Sequence, residues 1–218
     1  MTTRQLSLGA FDPPREELGP GAVLLRRFAF SYDEERTLVA AIDTIVEAAP
    51  FRHMITPGGF RMSVAMTNAG ALGWVTDLSG YRYTPRDPES DRPWPAIPSC
   101  LLRLASRAAK SGGFDGFVPD ACLVNRYEPE ARMTLHQDKN ERDFAAPIVS
   151  VSLGIPAVFL WGGEKRNDTA KRVPLAHGDV VVWGGPSRLR FHGVLPLKDD
   201  EHPLLGRQRL NLTFRKAG

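Results

Sequence analysis

The chain has 218 residues, 42% of them hydrophobic and 24% charged, with a formal net charge of +3. These proportions are typical of a folded domain and exclude a disordered or fibrous chain. No apolar run approaches the roughly 18 residues of a membrane span, and the N-terminus lacks the apolar core of a signal peptide. With Cys100 and Cys122 as the only cysteines, the sequence predicts a cytoplasmic protein that does not bind a membrane.

The N-terminal region is predicted to contain a lead-in and a helix. Residues 1–20 are rich in Pro and Gly without periodicity, which predicts a flexible segment ahead of a single domain at 21–218. Ser31 and Glu34 form the pattern of a capping box, and apolar residues then recur at helical spacing until Pro50. We therefore expect an amphipathic helix that starts near Ser31.

Two further segments precede the C-terminal half of the chain. About residues 50–95 are rich in Gly, Pro and Tyr, with short strand signals broken by turns, and we predict a covering flap there. The segment Ser99–Lys110 has apolar residues at helical spacing and is followed by Gly112 and Gly113, which predicts a second helix. Both helices are expected to act as buttresses.

About residues 119–216 consist of short β runs such as "ACLVNRYEP", "PIVSVSLG" and "RQRLNLTFR". Turn signals separate the runs at the spacing typical of a sandwich or barrel. The predicted fold is therefore mainly β with flanking helices (α+β), a jelly-roll core preceded by the helices and the flap. Such barrels close around a cavity that can hold a ligand.

Three of these runs place polar side chains on one strand face, because successive side chains alternate. The three sets are Arg209, Asn211, Thr213 and Arg215; Leu123, Asn125 and Tyr127; and Arg188, Arg190, His192 and Val194. For a single strand, a solvated outer face is the ordinary interpretation. If the three faces converge, the interior is polar and cationic and needs an anionic or metal occupant.

The run "TLHQDK" offers two metal ligands, because His136 and Asp138 lie two residues apart and would share one face of a strand. With His192 they form two histidines and one carboxylate, the facial triad typical of non-haem Fe(II) oxygenases. His177 is the competing ligand, but the Gly-Asp turn signal after it favours a locally hydrogen-bonded histidine.

The same interior could also hold a dicarboxylate. An arginine grips a carboxylate through two parallel hydrogen bonds, which a lysine cannot do. Arg209 and Arg215 are the candidates.

Several motifs together resemble the AlkB family of Fe(II)- and 2-oxoglutarate-dependent dioxygenases, which remove alkyl groups from damaged nucleobases. They include "TPGGF", "PDACLVNRY", "LHQDK", "HGDVVVWGG", "FHGV" and "RLNLTFR", and the resemblance covers about residues 20–217. It implies a double-stranded β-helix, Fe(II), and 2-oxoglutarate and O2 as cosubstrates. It also implies demethylation of bases of the 1-methyladenine and 3-methylcytosine type, with release of formaldehyde, succinate and CO2.

The resemblance also implies roles for individual residues. The implied iron ligands, which are the catalytic centre, are His136, Asp138 and His192. The implied 2-oxoglutarate contacts are Asn125, Arg126, Tyr127, Arg209, Asn211, Thr213 and Arg215. The implied substrate contacts are Trp74, Tyr81, Arg82, Tyr83, Asn140 and Arg166, with the damaged base between Trp74 and His136.

The implied partner is alkylated DNA, single-stranded or with the base flipped out, bound by a monomer. Two alternatives are open: the same chemistry acting mainly on RNA or protein, and a non-catalytic barrel that binds metal or nucleic acid. The non-catalytic alternative predicts a broken triad or a missing arginine anchor, and neither is broken in this sequence.

The chain departs from the family at Asn140, where the family pattern has an aspartate. A neutral amide should weaken the preference for cationic lesions, because charge-assisted hydrogen bonds are the stronger ones. The alternative is that Asn140 caps a turn and Glu141 reads the base.

Overall fold

The computed structural model describes residues 14–31 and 33–218. Its helices are α1 (Glu35–Ala48) and α2 (Ser99–Ser111), with short 3-10 helices at Phe28–Phe30 and Gly185–Ser187. Its strands are β1 (Arg15–Gly19), β2 (Ala22–Leu25), β3 (Ala65–Gly70), β4 (Gly73–Asp77), β5 (Gly80–Thr84), β6 (Ala121–Tyr127), β7 (Met133–His136), β8 (Ile148–Gly154), β9 (Ala157–Trp161), β10 (Lys171–Leu175), β11 (Val180–Trp183), β12 (His192–Val194) and β13 (Arg209–Arg215).

Two antiparallel sheets face each other. The large sheet has the order β1-β2-β11-β8-β13-β6-β3, the small sheet has the order β10-β9-β12-β7, and β4 and β5 form a separate hairpin. This arrangement confirms the mainly β, jelly-roll prediction. Among the described residues, no helix is long and apolar enough to cross a membrane.

Two apolar layers cover the two faces of the large sheet. On the outer face, Leu38 and Ile42 of α1 and Leu104 of α2 pack with Leu212 and Phe214 of β13. This layer confirms that the helices act as buttresses, and each fully buried Leu or Ile contributes about 1.5–3 kcal/mol. The inner layer, between the sheets, surrounds the polar cavity described below.

The expectation of a flexible segment at 1–20 is wrong for Arg15–Gly19. This stretch is an edge strand that pairs antiparallel with β2. Its sequence, "REELG", has one apolar residue, Leu18, which packs against the inner core. The strand otherwise depends on backbone pairing and on ion pairs such as Arg26–Glu16 at 2.8 Å. The rest of the predicted lead-in, residues 1–13, lies outside the described residues.

The capping-box prediction is also wrong. Helix α1 begins at Glu35 after an extended Glu34 whose side chain makes no capping hydrogen bond. The backbone N–H of Ser31 instead donates to the carbonyl of Phe28 and closes the preceding 3-10 helix. The second helix agrees closely with its prediction: it ends at Ser111, and Gly112 is its C-cap.

The predicted flap at about 50–95 contains a strand that belongs to the large sheet. Strand β3 pairs with β6 along six residue pairs and forms the sheet edge. Its buried polar side chains are satisfied locally: Thr67 donates to the carbonyl of Ala49, and Asn68 bonds the backbone of Trp74. The large sheet therefore extends beyond the predicted core at 119–216, since it also includes β1, β2 and β3.

Candidate active site

A cavity of about 50 Å³, lined by polar and apolar side chains, lies between the two sheets. Its lining includes the predicted inward faces of β6 and β13, together with the predicted triad. The alternation of β13 explains this placement, because its leucines and phenylalanine face the helices and its polar residues face inward. The two polar strand faces converge as the sequence predicted.

His136, Asp138 and His192 form a compact cluster. His136 ends β7 and lies directly opposite His192, the first residue of β12. Asp138 Oδ1 is 3.8 Å from His136 Nε2, and Asp138 Oδ2 is 3.7 Å from His192 Nε2. Three ligand atoms at such spacing can hold one metal ion. Asp138 lies beyond the end of β7, and a loop brings it to the cluster. The prediction that His136 and Asp138 share one face of a strand is therefore wrong.

Both imidazoles are oriented as metal ligands. His136 Nδ1 lies 2.8 Å from the carbonyl of Thr134, and His192 Nδ1 lies 3.0 Å from the carbonyl of Arg190. A carbonyl only accepts, so each Nδ1 carries the proton and each Nε2 lone pair faces Asp138. Metal-binding histidines commonly have this arrangement.

The pKa values of His192 and Asp138 are shifted toward the protonation states that bind a metal ion. Burial lowers the pKa of His192 to about 4, so its imidazole is neutral at pH 7. Burial by itself would raise the pKa of Asp138, but the Arg215 guanidinium and the two imidazoles hold that pKa well below its ordinary value. A neutral imidazole and an ionised carboxylate are what a divalent cation requires.

The opposite part of the cavity has unpaired donors. Arg209 is buried, and its Nη2 donates to Ser152 Oγ at 2.9 Å. Its Nε and Nη1 have no hydrogen-bond partner among the described residues, and neither does Trp183 Nε1. A buried guanidinium with unused donors is costly unless an anion pairs with it. The donor set therefore fits the carboxylate of 2-oxoglutarate.

The other residues of the inward faces are partly engaged within the protein. Asn211 Nδ2 donates to Ser150 Oγ at 2.8 Å, and Thr213 donates to Asn211 Oδ1. Asn125 and Tyr127 line the cavity, and Asn125 Oδ1 has no partner among the described residues. We expect Asn211 and Thr213 to fix the shape of the cavity, and Asn125 to present a free oxygen.

Arg126 does not belong to this group, and its prediction as a 2-oxoglutarate contact is wrong. Strand alternation turns it away from Asn125 and Tyr127, and its guanidinium lies 4.9 Å from the ring centre of Phe51. It also approaches Glu128 at 3.7 Å.

The shared face predicted for Arg188, Arg190, His192 and Val194 is wrong as well. Strand β12 starts only at His192, and Arg188 lies at the end of a 3-10 helix. Arg188 is nevertheless buried near the site, where its Nη1 donates to the backbone carbonyl of Asp138 at 2.7 Å. Sequence alternation could not find this role because the backbone there is not extended.

Four predicted substrate residues lie beside the triad at the protein surface or close to it. The rings of Trp74 and Tyr81 stack at 5.7 Å, and Tyr81 is 48% exposed. Trp74 Nε1 donates to Asn140 Oδ1 at 3.2 Å, next to the loop that carries Asp138. Arg166 donates to the carbonyl of Leu135 at 2.6 Å, one residue before His136.

Two other predicted substrate residues have partners elsewhere. Arg82 forms an ion pair with Asp77 in the β4–β5 turn at 2.7 Å. Tyr83 is half-buried, and its phenol donates to Glu141 Oε1 at 2.6 Å; partial burial raises the pKa of the phenol above its ordinary value. The contact of Tyr83 with a nucleotide backbone stays a prediction.

Glu141 is buried, and both of its carboxylate oxygens have partners within the protein. The alternative that Glu141 reads the base stays a prediction. Tyr83 occupies Oε1, and Arg188 Nη2 donates to Oε2 at 3.1 Å. Nothing in the polar run "KNERD" distinguishes Glu141 from solvated carboxylates, so sequence reasoning could not find this arrangement.

A second group of possible ligands, Glu35, His177 and His202, lies apart from the triad. Backbone N–H groups donate to both Nδ1 atoms, from Gly154 to His177 at 2.8 Å and from Leu204 to His202 at 3.3 Å. The neutral rings therefore carry their protons on Nε2, which faces Glu35 at 3.1 Å and 3.9 Å. This orientation is the reverse of the triad's and leaves no free ring nitrogen to bind a metal. His177 Nε2 and Glu35 Oε1 lie close together, but neither has a hydrogen-bond partner among the described residues. The expectation of a locally hydrogen-bonded His177 is confirmed.

The fold and the triad together define a class of enzyme. The chain matches the 2OG-Fe(II) oxygenase superfamily over residues 21–215 and belongs to that superfamily. It is an Fe(II)- and 2-oxoglutarate-dependent dioxygenase that uses O2.

Within this class, the chain is 57% identical over 207 residues to "Alpha-ketoglutarate-dependent dioxygenase AlkB" of Escherichia coli K12, covering 95% of each chain. It is 35% identical to "Nucleic acid dioxygenase ALKBH1" of Mus musculus, over 60% of this chain and 34% of that one. The solved structure of OsALKBH1 superposes with a TM-score of 0.80 at 30% identity, covering 93% of this chain and 100% of the other.

Proposed function

We propose that the protein oxidatively removes alkyl groups from the pairing edge of nucleobases, with methylated DNA as the first substrate and RNA as the alternative. The observation that carries this proposal is the hydrogen bond from Trp74 to Asn140. It joins the aromatic hairpin, which is the β4–β5 pair, to the loop that carries the metal ligand Asp138. A relative described as a nucleic acid dioxygenase supports the substrate class.

The residues of the cavity have separate roles in metal binding and in 2-oxoglutarate binding. His136, Asp138 and His192 would hold Fe(II), and Arg209 would hold a carboxylate of 2-oxoglutarate. Bound together, iron and 2-oxoglutarate supply the oxidising power, which the side chains do not need to provide. The protein contributes by orienting these groups in a buried cavity, where the unpaired donors of Arg209 have a carboxylate to bind.

The aromatic hairpin would hold the base. An indole face stacks on any nucleobase, and such stacking contributes about 1–3 kcal/mol. The methylated atom lies on the pairing edge, so the base must be single-stranded or flipped out of its duplex before it reaches the iron site. Lesions that already cannot pair are the easiest to flip, which favours methylated bases as substrates.

The proposal is tested by incubating the protein with Fe(II), 2-oxoglutarate and ascorbate. The first reaction contains a single-stranded DNA with one 3-methylcytosine, and the second contains an RNA of the same sequence with the same methylated base. The third contains an N-methylated peptide. Mass spectrometry should show the unmethylated base in DNA. Turnover confined to RNA would establish the alternative substrate, and turnover confined to peptide would contradict the proposal.

The Trp74→Ala variant tests whether this indole stacks on the base. It should raise the KM for the methylated oligonucleotide roughly 5- to 150-fold, the equivalent of about 1–3 kcal/mol. An unchanged KM would remove the proposed role of this indole.

A further inference from the structure

The turn before β11, residues 176–179, holds the end of strand β8 through three hydrogen bonds. Gly154 N–H donates to His177 Nδ1 at 2.8 Å. Gly178 N–H donates to the carbonyl of Ser152 at 2.8 Å, and Ser152 N–H donates to the carbonyl of Asp179 at 2.9 Å. The bond to His177 is therefore the one of the three that depends on the protonation of a side chain.

The same two residues of β8 support Arg209. Gly154 lies directly opposite Arg209 in the β8–β13 register and has a left-handed φ of +92°. A Cβ atom at Gly154 would collide with the carbonyl oxygen of Gln208 and lie 3.3 Å from Arg209 Cα, so the two backbones are in tight contact. Ser152 Oγ accepts from Arg209 Nη2 at 2.9 Å. The position of the guanidinium in the cavity therefore depends on the end of β8, which the turn of His177 holds.

Charged and aromatic groups from other segments face the His177 ring. Glu35 of α1 places Oε1 3.1 Å from His177 Nε2. The rings of His202 and Phe30 stack on the imidazole at 4.1 Å and 4.6 Å. Burial, followed by the nearby charge of His202, lowers the pKa of His177 below its ordinary value, with Glu35 acting in the opposite direction and Arg27 in the same one. The ring is therefore neutral at pH 7 and becomes protonated on acidification.

Protonation of His177 removes the acceptor that Gly154 uses. The neutral ring accepts through Nδ1, so its proton is on Nε2, whereas both nitrogens of the imidazolium carry a proton and neither can accept. The buried Gly154 N–H then faces another donor, and a buried N–H without an acceptor is costly. The charged ring is attracted to Glu35 at the same time. Acidification therefore weakens the attachment of the turn to β8.

We propose that His177 is a positioning residue for 2-oxoglutarate: when neutral it holds Arg209 in place through Gly154, and when protonated it weakens the binding of 2-oxoglutarate. His177 lies outside the lining of the cavity, so its effect passes through β8 and not through contact with the cosubstrate. By linkage, proton uptake at His177 and 2-oxoglutarate binding at Arg209 oppose each other by the same factor. The proposal rests on the assignment of Arg209 to 2-oxoglutarate and does not depend on which molecule is demethylated.

The test is the Kd of 2-oxoglutarate at pH 7.5 and pH 5.5, measured by calorimetry with enough Mn(II) to saturate the iron site at both pH values. Mn(II) serves as a metal probe that does not support turnover. In His177→Asn the amide oxygen can accept from Gly154 at either pH, because it does not titrate. The ratio of the Kd at pH 5.5 to the Kd at pH 7.5 should be about fivefold larger in the wild type than in His177→Asn, the lower end of ordinary coupling between sites.

Two further variants separate the hydrogen bond from the ring. His177→Phe keeps an aromatic ring but has no acceptor, so at pH 7.5 it should bind 2-oxoglutarate about fivefold more weakly than the wild type. Its kcat at saturating 2-oxoglutarate should stay close to that of the wild type, because the metal ligands are unchanged. His53→Asn is the matched control: it removes an imidazole from the connection between α1 and β3, where Nδ1 lies 2.8 Å from the carbonyl of Met62. It should keep the wild-type Kd ratio.

Equal Kd ratios in the wild type and in His177→Asn would overturn the proposal, and so would wild-type affinity of His177→Phe at pH 7.5. Arg209→Lys should bind 2-oxoglutarate weakly at both pH values. Tight binding by that variant would overturn the assignment of Arg209 on which the proposal rests.

Discussion

At the scale of single residues, the two histidine–carboxylate groups differ in the direction of the hydrogen bonds that their Nδ1 atoms make. The triad imidazoles donate from Nδ1 to carbonyls, whereas His177 accepts at Nδ1 from Gly154. Composition alone does not distinguish the two groups, since each has two histidines and one carboxylate. The backbone around each ring determines which nitrogen is free to bind a metal.

This difference predicts opposite outcomes for two alanine variants. Asp138→Ala should abolish Mn(II) binding and turnover, because the remaining two ligands cannot complete a facial site. His177→Ala should keep Mn(II) affinity within about twofold and most of the turnover, measured by calorimetry and by product formation. A folded His177→Ala protein that no longer bound the metal would refute the assignment.

Arg209 and Arg126 provide a matched pair for the cosubstrate. Arg209 faces the cavity with unpaired donors, whereas Arg126, on the neighbouring strand, faces away. Arg209→Lys should raise the 2-oxoglutarate KM at least tenfold, about 1.4 kcal/mol, because a point charge cannot replace the planar fork. Arg126→Lys should leave that KM nearly unchanged. Equal effects of the two substitutions would mean that Arg209 does not bind 2-oxoglutarate.

Asn140 is expected to influence which lesions are repaired. The Trp74 indole N–H only donates, so it fixes the amide oxygen of Asn140 toward the indole and leaves the amide N–H groups for other contacts. Such donors suit the carbonyl of 3-methylthymine, whereas a carboxylate suits cationic 3-methylcytosine. In Asn140→Asp, the kcat/KM ratio of 3-methylcytosine to 3-methylthymine should rise about five- to tenfold, roughly 1 kcal/mol. A constant ratio would show that position 140 does not sense the charge of the lesion.

At the scale of secondary-structure elements, Glu35, His177 and His202 join three segments of chain. Glu35 begins α1, His177 precedes β11, and His202 lies in the connection to β13. The rings of His177 and His202 stack at 4.1 Å. This group therefore anchors α1 to the barrel near the strand that carries Arg209.

The anchor should make stability depend on pH. Burial, followed by the nearby charge of His202, lowers the pKa of His177 below 6.5. Between the folded-state pKa of His177 and about pH 6.5, the unfolded chain binds more protons than the folded protein. The contribution of His177 to the free energy of unfolding is therefore fully present above this pH range and is lost as the pH falls through it. The Tm should drop between pH 7.5 and pH 5.5.

His177→Asn is the variant that tests this source of pH dependence, because the amide oxygen can still accept from Gly154 and does not titrate. The drop in Tm between the two pH values should be smaller in the variant by a few degrees. His192, with its pKa lowered to about 4, contributes to both proteins alike. An equal drop in both proteins would place the pH sensitivity elsewhere.

At the scale of the whole molecule, sequence periodicity predicted the regular parts and missed the irregular ones. The alternation of β13 correctly placed Arg209 and Asn211 in the cavity, because a strand repeats every two residues. Strand β1 was missed because its partner, not its own pattern, makes it a strand. The Glu141 network depends on loops whose course no local pattern specifies, so it could be found only in the folded structure.

In the proposed reaction, oxidation of 2-oxoglutarate is coupled to demethylation of a base in the same cavity. The most direct measurement is the stoichiometry of succinate, formaldehyde and repaired base, formed from a single-stranded DNA with one 3-methylcytosine. The three products should appear in equal amounts with Fe(II) and 2-oxoglutarate, and none should appear with Asp138→Ala. Succinate formed at the same rate with methylated and unmethylated DNA, without formaldehyde or repaired base, would contradict the account.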